Sequence, residues 1–139
     1  MKRKNGITLS ALVLYITLLF TFVAIATAVA KRFELNAFEQ KALGVNMENY
    51  SRLSASFNVS ANESDVVELD GTTLTFLNGG VLVDRYTFDT EKGHIYKNGV
   101  LVVSDVNSFN ITKDGTSLTI NVQFMKYSVM TEREIFIHV

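Results

Sequence analysis

The hydrophobic pattern divides the chain into two stretches of different character. Between Ile7 and Ala30, 19 of 24 residues are apolar and none is charged. From Lys31 to Val139, 46 of 109 residues are apolar. An uncharged run of 24 residues forms a helix of roughly 36 Å, which exceeds the hydrocarbon core of a bilayer at about 30 Å. The pattern therefore predicts one membrane-spanning helix followed by a water-soluble domain.

The polar side chains within this run are all hydroxyls, which can donate hydrogen bonds to the preceding turn of backbone and so cost little in lipid. They belong to Thr8, Ser10, Thr17, Thr21 and Thr27. Three basic residues precede the run and two follow it, namely Lys2, Arg3 and Lys4 against Lys31 and Arg32. With the amino terminus added, this excess predicts a cytoplasmic start and a C-terminal domain on the outer side of the membrane.

The helical pattern continues after the apolar run. Apolar residues recur there at spacings of three and four in two sets, Leu35, Phe38, Ala42 and Val45, and then Tyr50, Leu53 and Phe57. Because the two sets are offset by five residues and Gly44 lies near their join, we expect a bend or a rotation of the buried face at that point. Helical signals fade between Asn58 and Ser64, a run of Asn, Ser and Ala that is typical of a loop.

From Asp65 onward the pattern changes to short strands joined by tight turns. Four dipeptides supply the positive φ of two-residue hairpin turns, and these are Asp70-Gly71, Asn78-Gly79, Asn98-Gly99 and Asp114-Gly115. The predicted strands are Val66–Leu69, Thr73–Leu77, Val81–Phe88, His94–Lys97, Val100–Val103, Leu118–Phe124 and Glu134–Val139. Since one face of such a sheet needs a cover, we predict an α+β fold. A long N-terminal helix, membrane-spanning in its first half, packs against a small antiparallel β-sheet head.

Three kinds of export segment fit the N-terminus. The first is an uncleaved signal anchor. The second is a secretory signal cut after Ala30, because Ala28-Val29-Ala30 matches the small-x-small pattern of signal peptidase, although the apolar run exceeds the ~7–15 residues usual for such signals. The third is suggested by a glycine that ends a short basic leader directly before the apolar run, in the sequence Lys2-Arg3-Lys4-Asn5-Gly6-Ile7-Thr8-Leu9.

This leader resembles the prepilin signal of type IV pilins and pseudopilins. The resemblance implies that a membrane prepilin peptidase cuts between Gly6 and Ile7 on the cytoplasmic side. It also implies that Ile7 is then N-methylated and that the apolar helix stays on the protein. The chain then divides into a leader (1–6), a transmembrane assembly helix (7–30), its amphipathic continuation (31–60) and a β head (61–139).

One position departs from the family pattern. Pilins usually carry a glutamate at the fifth residue after the cut, and that residue is Ala11 here. In the family, this carboxylate is thought to pair with the amino terminus of a neighbouring subunit, which an alanine cannot do. The resemblance therefore implies a minor subunit that helps to initiate or cap a filament, rather than the repeating subunit.

Composition removes several classes of chemistry. The chain has no cysteine, which excludes disulfides, thiolate metal sites and a cysteine nucleophile. Its 13 basic and 14 acidic residues give a net charge of −1, without the basic excess that nucleic-acid binders usually have. The sequence contains no phosphate loop, serine elbow or paired-carboxylate spacing. We therefore expect a protein that is not an enzyme and that needs no metal or cofactor.

Two weaker motifs have plain structural interpretations. Asp84, Asp89 and Glu91 could bind calcium, but they lack a loop of alternating oxygen ligands, so a solvated turn is the favoured interpretation. His94 and His138 have no acidic neighbours at ligand spacing, which favours structural roles for both.

The expected function is mechanical. As a minor pilin or pseudopilin, the chain would cross the cytoplasmic membrane once with its head outside. It would then join a filament for DNA uptake, secretion, adhesion or motility. Its expected partners are the membrane, the prepilin peptidase and other pilin-like subunits, with no direct contact to nucleic acid. The alternative is a membrane-anchored or secreted β domain that binds a surface ligand and has no role in a filament.

Overall fold

A computed structural model describes residues 8–139 as one long helix followed by eight strands. Helix α1 spans Leu9–Asn62. The strands are β1 (Val66–Asp70), β2 (Thr73–Asn78), β3 (Val81–Asp89), β4 (His94–Lys97), β5 (Val100–Val103), β6 (Val106–Asp114), β7 (Ser117–Lys126) and β8 (Val129–His138). This is the predicted α+β fold, with a long N-terminal helix packed against antiparallel sheets. The chain divides into two compact units between Phe38 and Glu39, and α1 contributes to both.

Within the second unit, α1 buries a single stripe of residues. The buried positions follow one another at spacings of three and four, apart from an adjacent pair at the end, and they are Ala42, Asn46, Asn49, Leu53, Phe57, Ser60 and Ala61. The predicted rotation of the buried face near Gly44 is therefore wrong, and the helix runs through that glycine without interruption. The apolar pattern misleads here because the buried stripe continues between the two apolar sets through Asn46 and Asn49, and a pattern of apolar residues omits both.

The helix also extends beyond its predicted end. Residues 58–64 are predicted to form a loop, but α1 continues to Asn62. Ser60 is fully buried and Ala61 is only 7% exposed, so their packing in the head stabilises a last turn that the local composition does not favour. Ser64 then follows the helix end, where its Oγ donates to the carbonyl of Ser60 at 2.7 Å.

The eight strands form two antiparallel sheets rather than one meander. Strands β1 to β5 lie in sequence order in the first sheet, and β6 to β8 do so in the second. The break falls after β5, where Asp105 adopts a left-handed φ of 61°. The four predicted hairpin turns are confirmed, because the glycine of each dipeptide lies in the turn between two paired strands and has a positive φ.

Two features of the second sheet lack a clear signal in the sequence. Strand β6 carries a register shift between Val106 and Ser108, which interrupts the alternation by which a strand is recognised. The β7–β8 turn contains Tyr127 and Ser128, both with positive φ, without the glycine or asparagine that usually marks such a turn. As a result, β8 begins at Val129, well before the predicted start at Glu134.

The core lies where α1 meets both sheets. Phe57 on α1 is fully buried, and its ring centroid lies 4.5 Å from that of Tyr86 on β3 and 6.3 Å from that of Phe109 on β6. One aromatic side chain thus joins the helix to both sheets. The sheets also meet at Gly93, where the Val106 amide donates to the glycine carbonyl at 3.0 Å. A Cβ at Gly93 would lie 2.5 Å from the Val106 carbonyl oxygen, so only glycine fits this approach.

Candidate functional site

The N-terminal part of α1 exposes an extended apolar surface, and we call its residues 9–30 the apolar helix segment. Large side chains such as Leu9, Phe20 and Phe22 are 79%, 69% and 72% exposed. The helix is long and apolar enough to cross a membrane. Soluble monomers rarely leave apolar side chains uncovered over such a length, so this segment is the candidate membrane-spanning surface of the chain.

The threonine hydroxyls of the apolar helix segment are satisfied within the helix. Thr17, Thr21 and Thr27 each donate Oγ1 to the carbonyl four residues earlier, at 2.8 Å in every case. They are three of the five backbone hydrogen bonds expected from the sequence, whereas the hydroxyls of Thr8 and Ser10 lie 3.2 Å from each other. The three hydroxyls therefore need no water, which is the condition for placing them in a hydrocarbon environment.

The predicted processing site lies partly outside the described chain. The residues outside it are Lys2, Arg3, Lys4, Gly6 and Ile7. Thr8 is the N-cap of α1, because its carbonyl accepts the amide of Leu12 at 3.1 Å. Leu9 and Ala11 lie exposed in the first turn, and the alternative cleavage sequence Ala28-Val29-Ala30 lies in the interior of the helix.

In the head, a buried polar cluster lies between α1 and the first sheet. Asp84 on β3 is 7% exposed and accepts hydrogen bonds from Ser60 Oγ at 2.5 Å and from Asn98 Nδ2 at 2.8 Å. Lys97 Nζ on β4 lies 2.8 Å from Asp84 Oδ2. The hydroxyl of Tyr86 lies 2.8 Å from Ser60 Oγ and completes the cluster. One carboxylate thus connects the helix to two neighbouring strands.

Asp84 and Lys97 hold each other in their charged forms. Burial acts to raise the pKa of Asp84, but hydrogen bonds from Lys97, Ser60 and Asn98 outweigh it and keep that pKa below its ordinary value. Burial acts to lower the pKa of Lys97, yet its hydrogen bond to Asp84 keeps that pKa above its ordinary value. Both groups therefore stay charged across the physiological pH range.

The free energy of unfolding of the head is expected to decline at both extremes of pH. The folded pKa of Asp84 lies below the unfolded value of 3.8, so its contribution is lost as the pH falls through the folded pKa. The folded pKa of Lys97 lies above the unfolded value of 10.5, so its contribution is lost as the pH rises through the folded pKa. Chemical denaturation at a series of pH values should show a plateau in the free energy of unfolding between these limits.

Lys97→Met, which leaves Asp84 without its cation, should lower that plateau by about 3 kcal/mol.

Lys92→Met is the matched control for this experiment. Lys92 pairs with Asp89 at 3.7 Å on the surface, where its side chain is 65% exposed. Water screens such a pair, so we expect no measurable change in unfolding. Equal losses in the two lysine variants would contradict a specific contribution from the buried cluster.

Asp84 and Asp89 do not share a calcium site. Asp84 faces the core, whereas Asp89 Oδ1 accepts the backbone amides of Glu91 and Lys92 at 3.1 Å each and so caps the β3–β4 turn. Among residues 8–139, no group of three histidine, aspartate or glutamate side chains is placed to hold a metal ion.

Sequence reasoning missed the polar residues that fasten α1 to the head. Asn46 Nδ2 donates to the Val129 carbonyl at 3.2 Å and to Thr131 Oγ1 at 3.1 Å. Asn49 Nδ2 donates to the Ser104 carbonyl at 3.0 Å. These bonds explain why two asparagines occupy a buried stripe that otherwise contains small and apolar residues.

The two charged residues of the buried polar cluster could have been predicted from strand alternation. Asp84 has the same parity as Tyr86 and Phe88 on β3, and Lys97 has the same parity as Ile95 on β4. Because side chains of equal parity face the same side of a sheet, both charges are expected to point inward. The helical asparagines have no such signal, since their partners lie far along the chain.

The fold and the exposed segment define a class: an α+β protein with one N-terminal helix able to span a membrane and a head of two antiparallel sheets. Comparison with family models, with curated proteins and with solved structures gives no match for this chain. Its function is therefore inferred from its own residues and their geometry.

Proposed function

We propose that this chain is a minor pilin-like subunit that is anchored in the membrane through its apolar helix and assembles with other pilin-like chains. The observation that carries the proposal is the continuity of α1. The exposed and uncharged residues 9–30 belong to the same helix as the residues that pack into the head. One element can therefore serve both as membrane anchor and as part of the core of the head.

Exposed apolar side chains beyond the apolar helix segment favour assembly over a solitary anchor. Lys31 and Arg32 mark the expected edge of the lipid. Beyond them, Phe33, Leu35 and Phe38 remain 70%, 54% and 51% exposed. Each Å² of apolar surface left in water costs about 25 cal/mol, and helices of neighbouring subunits would cover this surface. A membrane-anchored β domain acting alone supplies no such cover.

The continuity of α1 also favours cleavage before the helix over cleavage within it. A secretory cut after Ala30 would divide α1 at an internal turn. Proteolytic cuts concentrate in exposed segments that lack regular structure, and helix interiors are poor sites for them. A cut between Gly6 and Ile7 leaves the whole of α1 on the mature protein.

The mature N-terminus tests the proposal. Mass spectrometry of protein from the membranes of a host with a prepilin peptidase should find a chain that starts at N-methylated Ile7. A chain that starts at Lys31 would identify an ordinary secreted domain, and an intact Met1 would identify an uncut anchor. Either of those results would overturn the proposal. Crosslinking in the same membranes should capture other single-helix pilin-like chains.

Ala11→Glu is expected to increase the amount of this subunit that is incorporated along the filament. A glutamate within the bilayer costs about 2.5–3.5 kcal/mol unless it is paired, and the amino terminus of a neighbouring subunit would supply that pair. Quantitative immunoblots of sheared filaments should show a larger share of this variant than of wild type or of the uncharged control Ala11→Gln. Wild-type protein already abundant along filaments would contradict a minor role.

A further inference from the structure

The outward face of the second sheet carries nine side chains in a regular array, which we call the polar grid. Strand pairing arranges them in three rows across β6, β7 and β8, namely Thr112, Thr119 and Phe136, then Asn110, Asn121 and Glu134, then Ser108, Gln123 and Glu132. Alternate residues of the same strands, such as Ile120 and Ile135, lie in the core. None of the nine is buried, so the whole grid is accessible from solvent.

The polar grid presents hydrogen-bonding groups that the protein does not use itself. Six of its side chains are amides or hydroxyls and two are carboxylates. Within residues 8–139, one of these eight polar side chains has a hydrogen-bond partner: Gln123 Oε1 accepts from Asn107 Nδ2 at 2.6 Å. Donors and acceptors therefore face solvent on a paired three-stranded support, whose backbone is already ordered before a ligand binds.

Phe136 is the one apolar member of the polar grid. It lies opposite Thr119 at the edge of the array and is 69% exposed. It alternates along β8 with Ile135 and Ile137, which are buried, so its side chain points to the opposite face of the sheet, away from the core. The ring therefore presents a flat apolar face beside a field of hydrogen-bonding groups.

The charges of the second sheet argue against a polyanionic ligand. Its basic side chains are engaged elsewhere, since Lys113 Nζ donates to a β1 carbonyl at 2.6 Å and Lys126 Nζ pairs with Asp105 at 3.0 Å. Arg133 reaches the sulfur of Met47 on α1 at 3.6 Å. The polar grid is left with two carboxylates and no cation, a combination that repels nucleic acids and acidic polymers.

The composition of the polar grid also differs from that of a protein interface. The cores of protein interfaces are enriched in aromatic residues, Met and Arg and depleted in Ser and Glu. The polar grid contains one residue of the enriched types, Phe136, and three of the depleted types, Ser108, Glu132 and Glu134. A ligand rich in neutral hydrogen-bonding groups fits this face better than a second protein does.

We propose that the polar grid binds an uncharged polysaccharide. Sugar hydroxyls donate and accept hydrogen bonds at once, so they match a mixed array of amides, hydroxyls and carboxylates. The C–H face of a sugar ring stacks on the ring of Phe136, as apolar groups do on exposed aromatic faces. Binding at this face does not depend on the filament role, because it involves only outward side chains of the head.

Retention on insoluble polysaccharides tests the proposal. Cellulose and chitin, both uncharged, should deplete the detergent-solubilised full-length chain from solution, whereas polygalacturonate, an acidic polymer, should not. Phe136→Ala should weaken retention about tenfold. Val100→Ala alters an apolar side chain of the first sheet that is also 69% exposed, and it should bind as wild type does.

Three results would overturn the proposal. The first is a lack of retention on both uncharged polymers. The second is an equal loss for Phe136→Ala and Val100→Ala, which would identify unspecific adsorption of apolar surface. The third is unchanged retention of Phe136→Ala together with reduced self-association in analytical ultracentrifugation, which would make the face an interface between copies of the chain.

Discussion

Gly6→Leu is expected to abolish maturation of the chain. The peptidase implied by the resemblance to prepilins needs close access to an extended backbone, and glycine permits this because it has no Cβ. The uncut chain would keep Lys2, Arg3 and Lys4 and a net charge of −1. The mature chain would carry 10 basic residues against 14 acidic ones, a net charge of −4. Intact-mass spectrometry and isoelectric focusing should therefore both report the block.

Ala30→Leu is the matched variant for this experiment, because it alters the site that signal peptidase would use. We expect it to mature as the wild type does. The reverse pattern, with Gly6→Leu processed normally and Ala30→Leu left uncut, would identify a secretory signal. Normal maturation of both variants would equally refute cleavage at Gly6.

Phe57→Ala is expected to lower the free energy of unfolding of the head by about 4 kcal/mol. Phe57 is fully buried and contacts Tyr86 in the first sheet and Phe109 in the second. Its loss would leave a cavity where the helix meets both sheets. Chemical denaturation of the detergent-solubilised chain, followed by circular dichroism, should measure the change.

Val59→Ala controls for effects on the helix itself. Val59 lies two residues further along α1 and is 52% exposed, so its truncation removes little buried surface. We expect a change within about 0.5 kcal/mol of wild type. A comparable loss in both variants would show that helix stability, rather than the aromatic contacts, limits the stability of the head.

The strands of the first sheet could be predicted because the turn residues that end them lie directly beside them in the sequence. Strands β4 and β5 have their predicted bounds, since Asn98-Gly99 forms the turn that pairs Lys97 with Val100. Strand β6 could not be delimited in this way, because its register shift breaks the alternation. The turn at Tyr127 likewise lacks the residue types by which turns are recognised.

The candidate site was predictable only in part. The apolar helix segment follows from composition alone, because a bilayer selects for length and lack of charge rather than for particular partners. Asp84, by contrast, is predicted from the sequence to lie in a solvated turn, with calcium binding as the less favoured alternative. It is instead buried on β3, and its partners include Ser60, which lies 24 residues earlier on a different element. The role of such a carboxylate depends on what the fold brings beside it.

Elements whose causes are local can be predicted from the amino-acid sequence. These are the uncharged run that can span a membrane, the hairpin turns with glycine, and the strands that alternate cleanly between apolar and polar residues. The tertiary structure decided which face of α1 is buried, where that helix ends, and that the strands separate into two sheets. The amide nitrogen of Asn46 is an example, since its partners on Val129 and Thr131 lie 83 and 85 residues away along the chain. Burial of a polar side chain is stable only when such partners are in place, and no local pattern specifies them.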